Sequence, residues 1–512
     1  MSILILTGTM AYDILKEYLQ PFEESVQILE LPLSIAAFMT PEFILQHLKM
    51  IDLTAFQSII VPGFMQGSTQ LIEDTLKIPT YKGPRYASDI PIIFQKSIQL
   101  SKTIPADKLI LTKGIEEYKD ILANLYQSFP PHPFFPLSTY RIGIDYPPLI
   151  LAEIVDAPKL SISKILSMGK YFINNGAQML DIGAIVGQNN AQKLKIIIEE
   201  VKSTLGVPVS IDSMDPEEIE VAIEAGADLI LSLDAGNIHE LKNIPKDRAI
   251  TIIPTNIHEG IFPKTPEARV KLLNQTLLDA KRLGFKKILA DPLLESPISP
   301  GLTKSLETFI QCRKGNPDLP FLFGAGNVSE IIDADSIGIN GLLACIAVEL
   351  GVSVILTTEY SNKTRKSIDE LSYGVRLAFL ADYKKRPPVS LPFHLLRAKN
   401  KKRYDYTFKD LPPSPISVTD LDESFIPDPN GYFKIWIDHE MQLIHILHYT
   451  NSHDCQLIQG NSAEALGKKI LSEIHLQDPT HILYLGRELE RAEIALFLGK
   501  DYVQDVKFAE VV

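Results

Sequence analysis

The chain has 512 residues, 45% hydrophobic and 22% charged, which is too long for a single hydrophobic core and predicts two to four domains. Its formal net charge of −13 excludes a nucleic-acid surface as the main business, because phosphate binding needs clustered lysine and arginine. Three cysteines, Cys312, Cys345 and Cys455, lie far apart with no C-x-x-C spacing, which excludes a disulfide framework and a thiolate zinc site and predicts a reducing, cytoplasmic setting.

The opening MSILILTGTMAYDILKEYL has no basic n-region and breaks at Thr7-Gly8-Thr9. It reads as a strand and turn, not as a signal peptide, and no run approaches the roughly 20 apolar residues of a membrane span. Residues 1 to 140 carry ILILTG, VQILELP, FQSIIVPGF and KLILTKG, each followed by a helix-compatible stretch. That alternation predicts an open α/β domain with a parallel sheet. The proline-rich FPPHPFFPL (129 to 137) then reads as a linker.

From 141 to 390 eight short β segments follow: PPLILAEIV, AQMLDIG, VPVSIDS, ADLILSLD, AITIIPTN, KKILADP, PFLFGAG and VSVILTTE. Amphipathic stretches such as DPEEIEVAIEAGA separate most of them, with acidic first turns and glycine near their ends. Eight βα units in this span predict a (β/α)8 TIM barrel. A doubly wound sheet is the competing fold, but the Gly-rich first turn it needs is missing.

The bridge LPPSPISVTD leads to a third zone, 415 to 512, where FKIWIDHEMQLIHILHY alternates like a β-hairpin ahead of two amphipathic helices, predicting a small α+β module. The basic stretch RAKNKKRYDY (397 to 406) reads as a solvated linker. His439, His445 and His448 fall in the hairpin, but period-two alternation sets His448 on the opposite face from the others, which favours packing over metal binding.

The barrel segments share one feature. An acid or amide punctuates the end of six apolar runs: Asp181, Asp212, Asp234, Asn256, Asp291 and Asn327. Strands buried on both faces are apolar throughout, so a polar residue at the same end of each marks a common rim, the rim where barrel chemistry occurs. Carboxylates and amides there suit a flat heterocycle with adjacent N–H donors, such as the 2-amino-4-oxo pyrimidine edge of a pterin. For any single aspartate the competing role is an N-cap of the next helix.

GAQMLDIGA, then VPVSIDS, then ADLILSLDAGN resemble the pterin-binding barrel of dihydropteroate synthases and corrinoid-linked pterin methyltransferases. ADPLLESP and GAGNVS are similar to segments of the methyltransferase branch. That resemblance implies pterin contacts from Asp212, Asp291 and Asn327, with Asn327 near the ring nitrogen that carries the one-carbon group. By position in the superfamily pattern it adds Asp234 and Asn256 as further contacts; the proton handling that methyl transfer needs then gives Asp181 a supporting hydrogen bond at the pocket floor and Glu153 and Asp156 relay roles on the first loop. Segments typical of dihydropteroate synthase are replaced: Asn327-Val328-Ser329 stands where its Ser-Arg-Lys would be, and LTTEYSNKTRKS lacks its terminal Arg-x-His. Lys304, Lys363 and Arg365 are the loop cations left to substitute.

Over nearly the full length, Lys82 to Pro91 (KGPRYASDIP) and YLGRELERAEIALFLGKDYVQD (484 to 505) make the chain similar to archaeal proteins described as dihydropteroate synthase-related. The implied ligand is a reduced pterin of the tetrahydromethanopterin or tetrahydrofolate type. The preferred function is one-carbon or methyl handling on it. A synthase-like condensation and a non-catalytic pterin scaffold are the alternatives. No cobalt-ligating Asp-x-His-x-x-Gly segment is present, so a corrinoid would reside on a partner protein, and the superfamily resemblance implies a homodimer.

Overall fold

The computed structural model describes residues 2–400, 428–450, 454–476 and 478–510. The bridge LPPSPISVTD and residues 401 to 406 of the basic stretch lie outside the described residues. The chain divides into two compact units, one holding the elements up to Gln127 and the other holding the barrel with the C-terminal module.

In the first unit, strands β1 (Ser2–Gly8), β2 (Val26–Leu31), β3 (Phe56–Val61) and β4 (Thr80–Lys82) form a parallel sheet in the order β2-β1-β3-β4. Alternation sends Leu4, Leu6, Ile59 and Val61 to one face, against Ile44, Leu48 and Ile72. Ile5 and Ile60 go to the other, against Leu15 and Leu19. The segment KLILTKG is not a strand: it lies within the helix Ala106–Gln127. Its apolar triplet Leu109-Ile110-Leu111 is too short to set a period, and the helical spacing that runs on to Tyr126 decides the conformation. The fourth strand is the three-residue β4, whose terminal lysine hid it.

The second unit begins with a hairpin, β5 (Phe135–Leu137) and β6 (Tyr140–Ile142). Eight parallel strands follow and close into a barrel: β7 (Leu149–Ile154), β8 (Met179–Gly183), β9 (Val209–Asp212), β10 (Leu229–Leu233), β11 (Ala249–Ile252), β12 (Lys287–Ala290), β13 (Phe321–Gly324) and β14 (Val352–Thr358). These are the eight segments expected from the sequence. Leu149, Leu151, Met179, Leu229, Leu231, Leu289, Leu322 and Val354 fill the interior, and Leu137 and Ile142 of the hairpin join them. The hairpin therefore plugs the amino-terminal end. Side chains point inward every second residue, so the positions above Leu151 and Met179 are Glu153 and Asp181, and the register sets Glu153 beside Asp181 and Asp181 beside Ser210. The apolar filling thus ends in a polar layer at the carboxyl mouth.

The C-terminal module pairs β15 (Tyr432–Asp438), β16 (Leu443–Tyr449) and β17 (Cys455–Gly460) in an antiparallel sheet beside helices Ala463–Glu473 and Pro479–Leu498. The hairpin was expected; its third strand was not. Its histidines diverge: His448 stacks on Phe433, His445 stacks on Trp436, and His439 meets the carbonyl of Lys500. The module docks on the barrel through the loop after β14. Arg365 donates to the carbonyl of Gly499 (3.0 Å) and pairs with Asp501 (2.8 Å), and Lys366 donates to the carbonyl of Phe497 (2.9 Å). Two cations thereby cap the carboxyl end of the last long helix, where its dipole is negative. Among the described residues no helix is long and apolar enough to cross a membrane.

At the plugged end Arg313 ties two turns together. Its guanidinium donates to the carbonyls of Asn316, Pro317, Leu319, Leu350 and Gly351 and lies 3.9 Å above the ring of Phe321. Arg313→Met keeps the stem but leaves those carbonyls without their donor, and should lower stability by ~3 kcal/mol, read by urea denaturation.

Candidate functional site

The mouth is built by strand ends. Glu153 is the fifth residue of β7, and Asp181 lies at the centre of β8 with no exposed surface. Asp212 ends β9, and Asp291 follows directly on β12 and is 9% exposed. Carboxylate oxygens of Glu153, Asp181 and Asp212 all lie within 4.8 Å of one another, among the described residues the one group of acids, histidines or cysteines with that spacing. Gly183 makes this approach possible, since a Cβ there would stand 3.0 Å from Oε1 of Glu153.

Burial raises all four acids, and the charge of Asp212 adds to it at the other three. Burial, then the charge of Asp212, pushes Glu153 up to about 7. Burial, then Asp212 and Glu153, lifts Asp181 well above the ordinary carboxylate range, opposed by a hydrogen bond from the Ser210 hydroxyl. Its Oδ2 is buried without any partner. Burial also raises Asp212, although the Ser232 hydroxyl donates to its Oδ1 at 2.6 Å. Burial pushes Asp291 up to about 7, opposed by the Leu293 N–H at 2.8 Å. Three oxygens at this spacing could bind a divalent cation, but acids raised in this way meet the same need by sharing protons.

Asn327 lies at the open edge, in the short helix after β13. Its Nδ2 donates to the carbonyl of Leu294 at 2.9 Å, bridging the loops that follow β12 and β13. That bond fixes the amide so that Oδ1 is left as an acceptor. Asp156 holds a left-handed backbone (φ 50) and is paired with Lys159 at 2.7 Å.

Asp234 and Asn256 are engaged differently. Both oxygens of the buried Asp234 are committed within the chain, Oδ1 to the N–H groups of Gly236 and Asn237, and Oδ2 to the Thr255 hydroxyl and the Ile257 N–H. Oδ1 of Asn256 accepts the Glu259 N–H, and its backbone bridges Ile261. These two brace the loops after β10 and β11. Of the loop cations, Lys363 pairs with Asp333 and Arg365 with Asp501, so neither is free to fill an anion hole.

Strand-end reading missed three partners. Ser210 stands two residues before Asp212, and the period of two could have placed it inward. Glu330, three residues past Asn327, adds its charge to Glu153 and accepts the Ser361 N–H at 3.2 Å. Arg269 comes from the helix Pro266–Arg282 and acts on Asp291, while its Nη2 pairs with Glu295 and its Nε donates to the carbonyl of Pro263. Its buried Nη1 has no partner.

Asp291 keeps its proton in the folded chain up to about pH 7, whereas in the unfolded chain it loses it near the ordinary value of 3.8. Folding therefore takes up a proton in that window, and stability should fall as pH rises from about 4 to about 7. Asp291→Asn should flatten the slope, by at most about 1.4 kcal/mol per pH unit, in urea titrations across that range.

Family models match in three places along the chain. A model described as pterin binding enzyme matches residues 154–357, one named PterinBD-DUF4346 matches 427–505, and a family of unknown function (DUF6513) matches 1–85. Uncharacterized protein MJ0107 of Methanocaldococcus jannaschii is 32% identical over 520 residues, covering 99% of this chain and 98% of its own. The Ycf91-like protein of a Nostoc species is 36% identical over 105 residues, 15% of this chain and 83% of its own. Dihydropteroate synthase structures from Yersinia pestis with a sulfonamide drug and Burkholderia cenocepacia with 7,8-dihydropteroate align at 14% and 16% identity. They cover 50% and 51% of this chain and all of theirs, with TM-scores of 0.39. The barrel assignment rests on the strand order itself. With a relative matched end to end and a pterin-binding model over the barrel, the chain belongs to the pterin-binding TIM-barrel superfamily, in one full-length family with the Methanocaldococcus protein.

Proposed function

We propose that the barrel binds a reduced pterin of the tetrahydromethanopterin or tetrahydrofolate type and acts in the transfer of a one-carbon or methyl group. The observation that carries this reading is the charge of the mouth. Four acids converge there, and among the described residues the cation that acts on Asp291 is Arg269, already engaged by Glu295.

An acidic, partly protonated pocket favours a ligand that gains positive charge as it reacts and disfavours one that releases a diphosphate, which calls for fixed cations. When bound, the pterin supplies the one-carbon unit on a ring nitrogen. Asp212 and Asp291 accept the N–H donors of the pyrimidine edge. Glu153 and Asp181, sharing a proton at neutral pH, hold and return protons at the inner end, with Glu330 and Asp156 tuning Glu153 by charge. Asn327 offers Oδ1 to the protonated ring nitrogen at the outer end, which stabilises the charge that activates the group for transfer. Loops at this end expose Val186, Phe262, Ile298, Ile331 and Tyr360, an apolar rim suited to docking a partner protein. A corrinoid held by that partner is the acceptor this reading favours.

One observation favours a second reading, a dihydropteroate-synthase-like condensation: the unpartnered Nη1 of Arg269 is a donor that a phosphoryl oxygen could take. Titration calorimetry and a pyrophosphate assay separate the two. The first reading expects binding of a methylated tetrahydropterin, weakened at least ~10-fold by Asp212→Asn or Asp291→Asn, and no pyrophosphate from a pterin-methyl diphosphate plus an arylamine. Pyrophosphate release would overturn it in favour of the second, and absence of pterin binding would overturn both. Asn327→Ala should lower kcat on the order of 10²-fold with KM little changed. A loss of affinity with no turnover in the parent protein would instead identify a pterin-binding scaffold.

A further inference from the structure

Strand β10 carries one residue more than its neighbour needs. Ile230 and Leu233 pair with Ile250 and Ile252 of β11, so three steps on one strand match two on the other, a β-bulge at Leu231 and Ser232. The bulge changes which side chains face the barrel interior. Leu229 and Leu231 lie in the interior filling, whereas Ile230 and Leu233 join the layer under the helices. Alternation would send Ser232 outward with Ile230. Instead it follows Leu231, which is level with Asp212 on β9, and its hydroxyl donates to Oδ1 of Asp212 at 2.6 Å. Ser232 is also the one residue of β10 that is not buried.

This inward turn is strained. Ser232 holds a left-handed backbone (φ 65), a conformation that an L side chain resists and glycine adopts freely. Glycine here would make the same bulge without strain but would bring no donor. Asp212 has no other: among the described residues the Ser232 hydroxyl is the one hydrogen-bond donor to its side chain, and Oδ2 is left without a partner. The titratable groups that face Asp212 are Glu153 from β7, Asp181 from β8 and Asp291 after β12, all of them acids. No cation acts on it among the described residues, so the hydroxyl is what fixes the carboxylate.

We propose that Ser232 is a positioning residue of the barrel mouth: the bulge in β10 brings its hydroxyl to pin Oδ1 of Asp212, which presents Oδ2 to the bound ligand. Strain held at such a position is offset by what the hydroxyl does for its neighbour. The identity of the ligand rests on the pterin reading, in which Asp212 accepts an N–H of the pyrimidine edge; the bond between Ser232 and Asp212 can be read without it.

Three variants separate the parts. Ser232→Ala keeps the strained backbone and removes the donor, Ser232→Gly removes both, and Ser232→Asn keeps an N–H donor on a residue that tolerates the left-handed region. In thermal melts Ser232→Gly should unfold at least ~2 °C above Ser232→Ala. By calorimetry the Ala and Gly variants should each bind a methylated tetrahydropterin about 10-fold more weakly than the parent, and Asn should recover most of the loss. A role in stability alone would leave that affinity unchanged in Ser232→Gly. A further readout needs no ligand. Burial raises Asp212 above the ordinary carboxylate value and the Ser232 bond opposes it, so without the donor Asp212 keeps its proton to higher pH in the folded chain. Stability in urea should then fall more steeply from about pH 4 to about pH 8 in Ser232→Ala than in the parent, and the difference should vanish in an Asp212→Asn background. That pH effect in a parent protein that binds no pterin would overturn the pterin reading and support the pairing of Ser232 with Asp212. An unchanged pH slope, parental affinity in Ser232→Ala, no recovery with Ser232→Asn, or Ser232→Gly melting below Ser232→Ala would overturn the proposal.

Discussion

Four carboxyl groups gathered at one end of a barrel cannot all be ionised, and the rest of the functional site follows from that constraint. All four are drawn largely out of water and Asp212 acts by charge on the other three, so protons must stay behind at pH values where free aspartate and glutamate have lost theirs. Two devices keep the arrangement from simply collapsing into neutral acids. Hydroxyl donors, Ser210 on Asp181 and Ser232 on Asp212, favour the ionised form of chosen members. The Leu293 N–H does the same for Asp291. The mouth is thus a partly protonated layer set directly on an apolar filling of leucine, methionine and valine, and it can both accept and donate within a few ångströms.

Much of this was legible in the sequence because a barrel strand buried on both faces has few ways to be written. Eight apolar runs appear as eight strands, and the inward period of two carries Glu153, Asp181 and Asp212 to one layer. The same rule fails for Asp234, which looks identical in the sequence. Ser232 adopts a left-handed backbone (φ 65), and the pairing of β10 with β11 shifts between Ile230 and Leu233. The period of two is broken there, and Asp234 spends its lone pairs on the loops that follow β10 and β11. Asn256 lies four residues beyond the end of β11, within a turn of its own. Arg269 was invisible to any search of strand ends, since it arrives from a helix. In the first unit, three apolar residues at Leu109 could not announce a helix of 22 residues, whose character is set by spacing over several turns.

The C-terminal module is more than an appendage to the barrel. Its last long helix ends against Arg365 and Lys366, in the loop that follows β14. That strand pairs with β7, the strand that supplies Glu153, and Thr358 lies in register with Glu153 itself. The bonds that seat the module therefore also fix one wall of the acid layer.

The hairpin β5–β6 stops the cylinder at its other end, leaving a vessel with a single doorway. On the proposed reading, a pterin settled against the deep acids would enter before its companion and depart after it, an order imposed by the filled floor of leucine, methionine and valine beneath them.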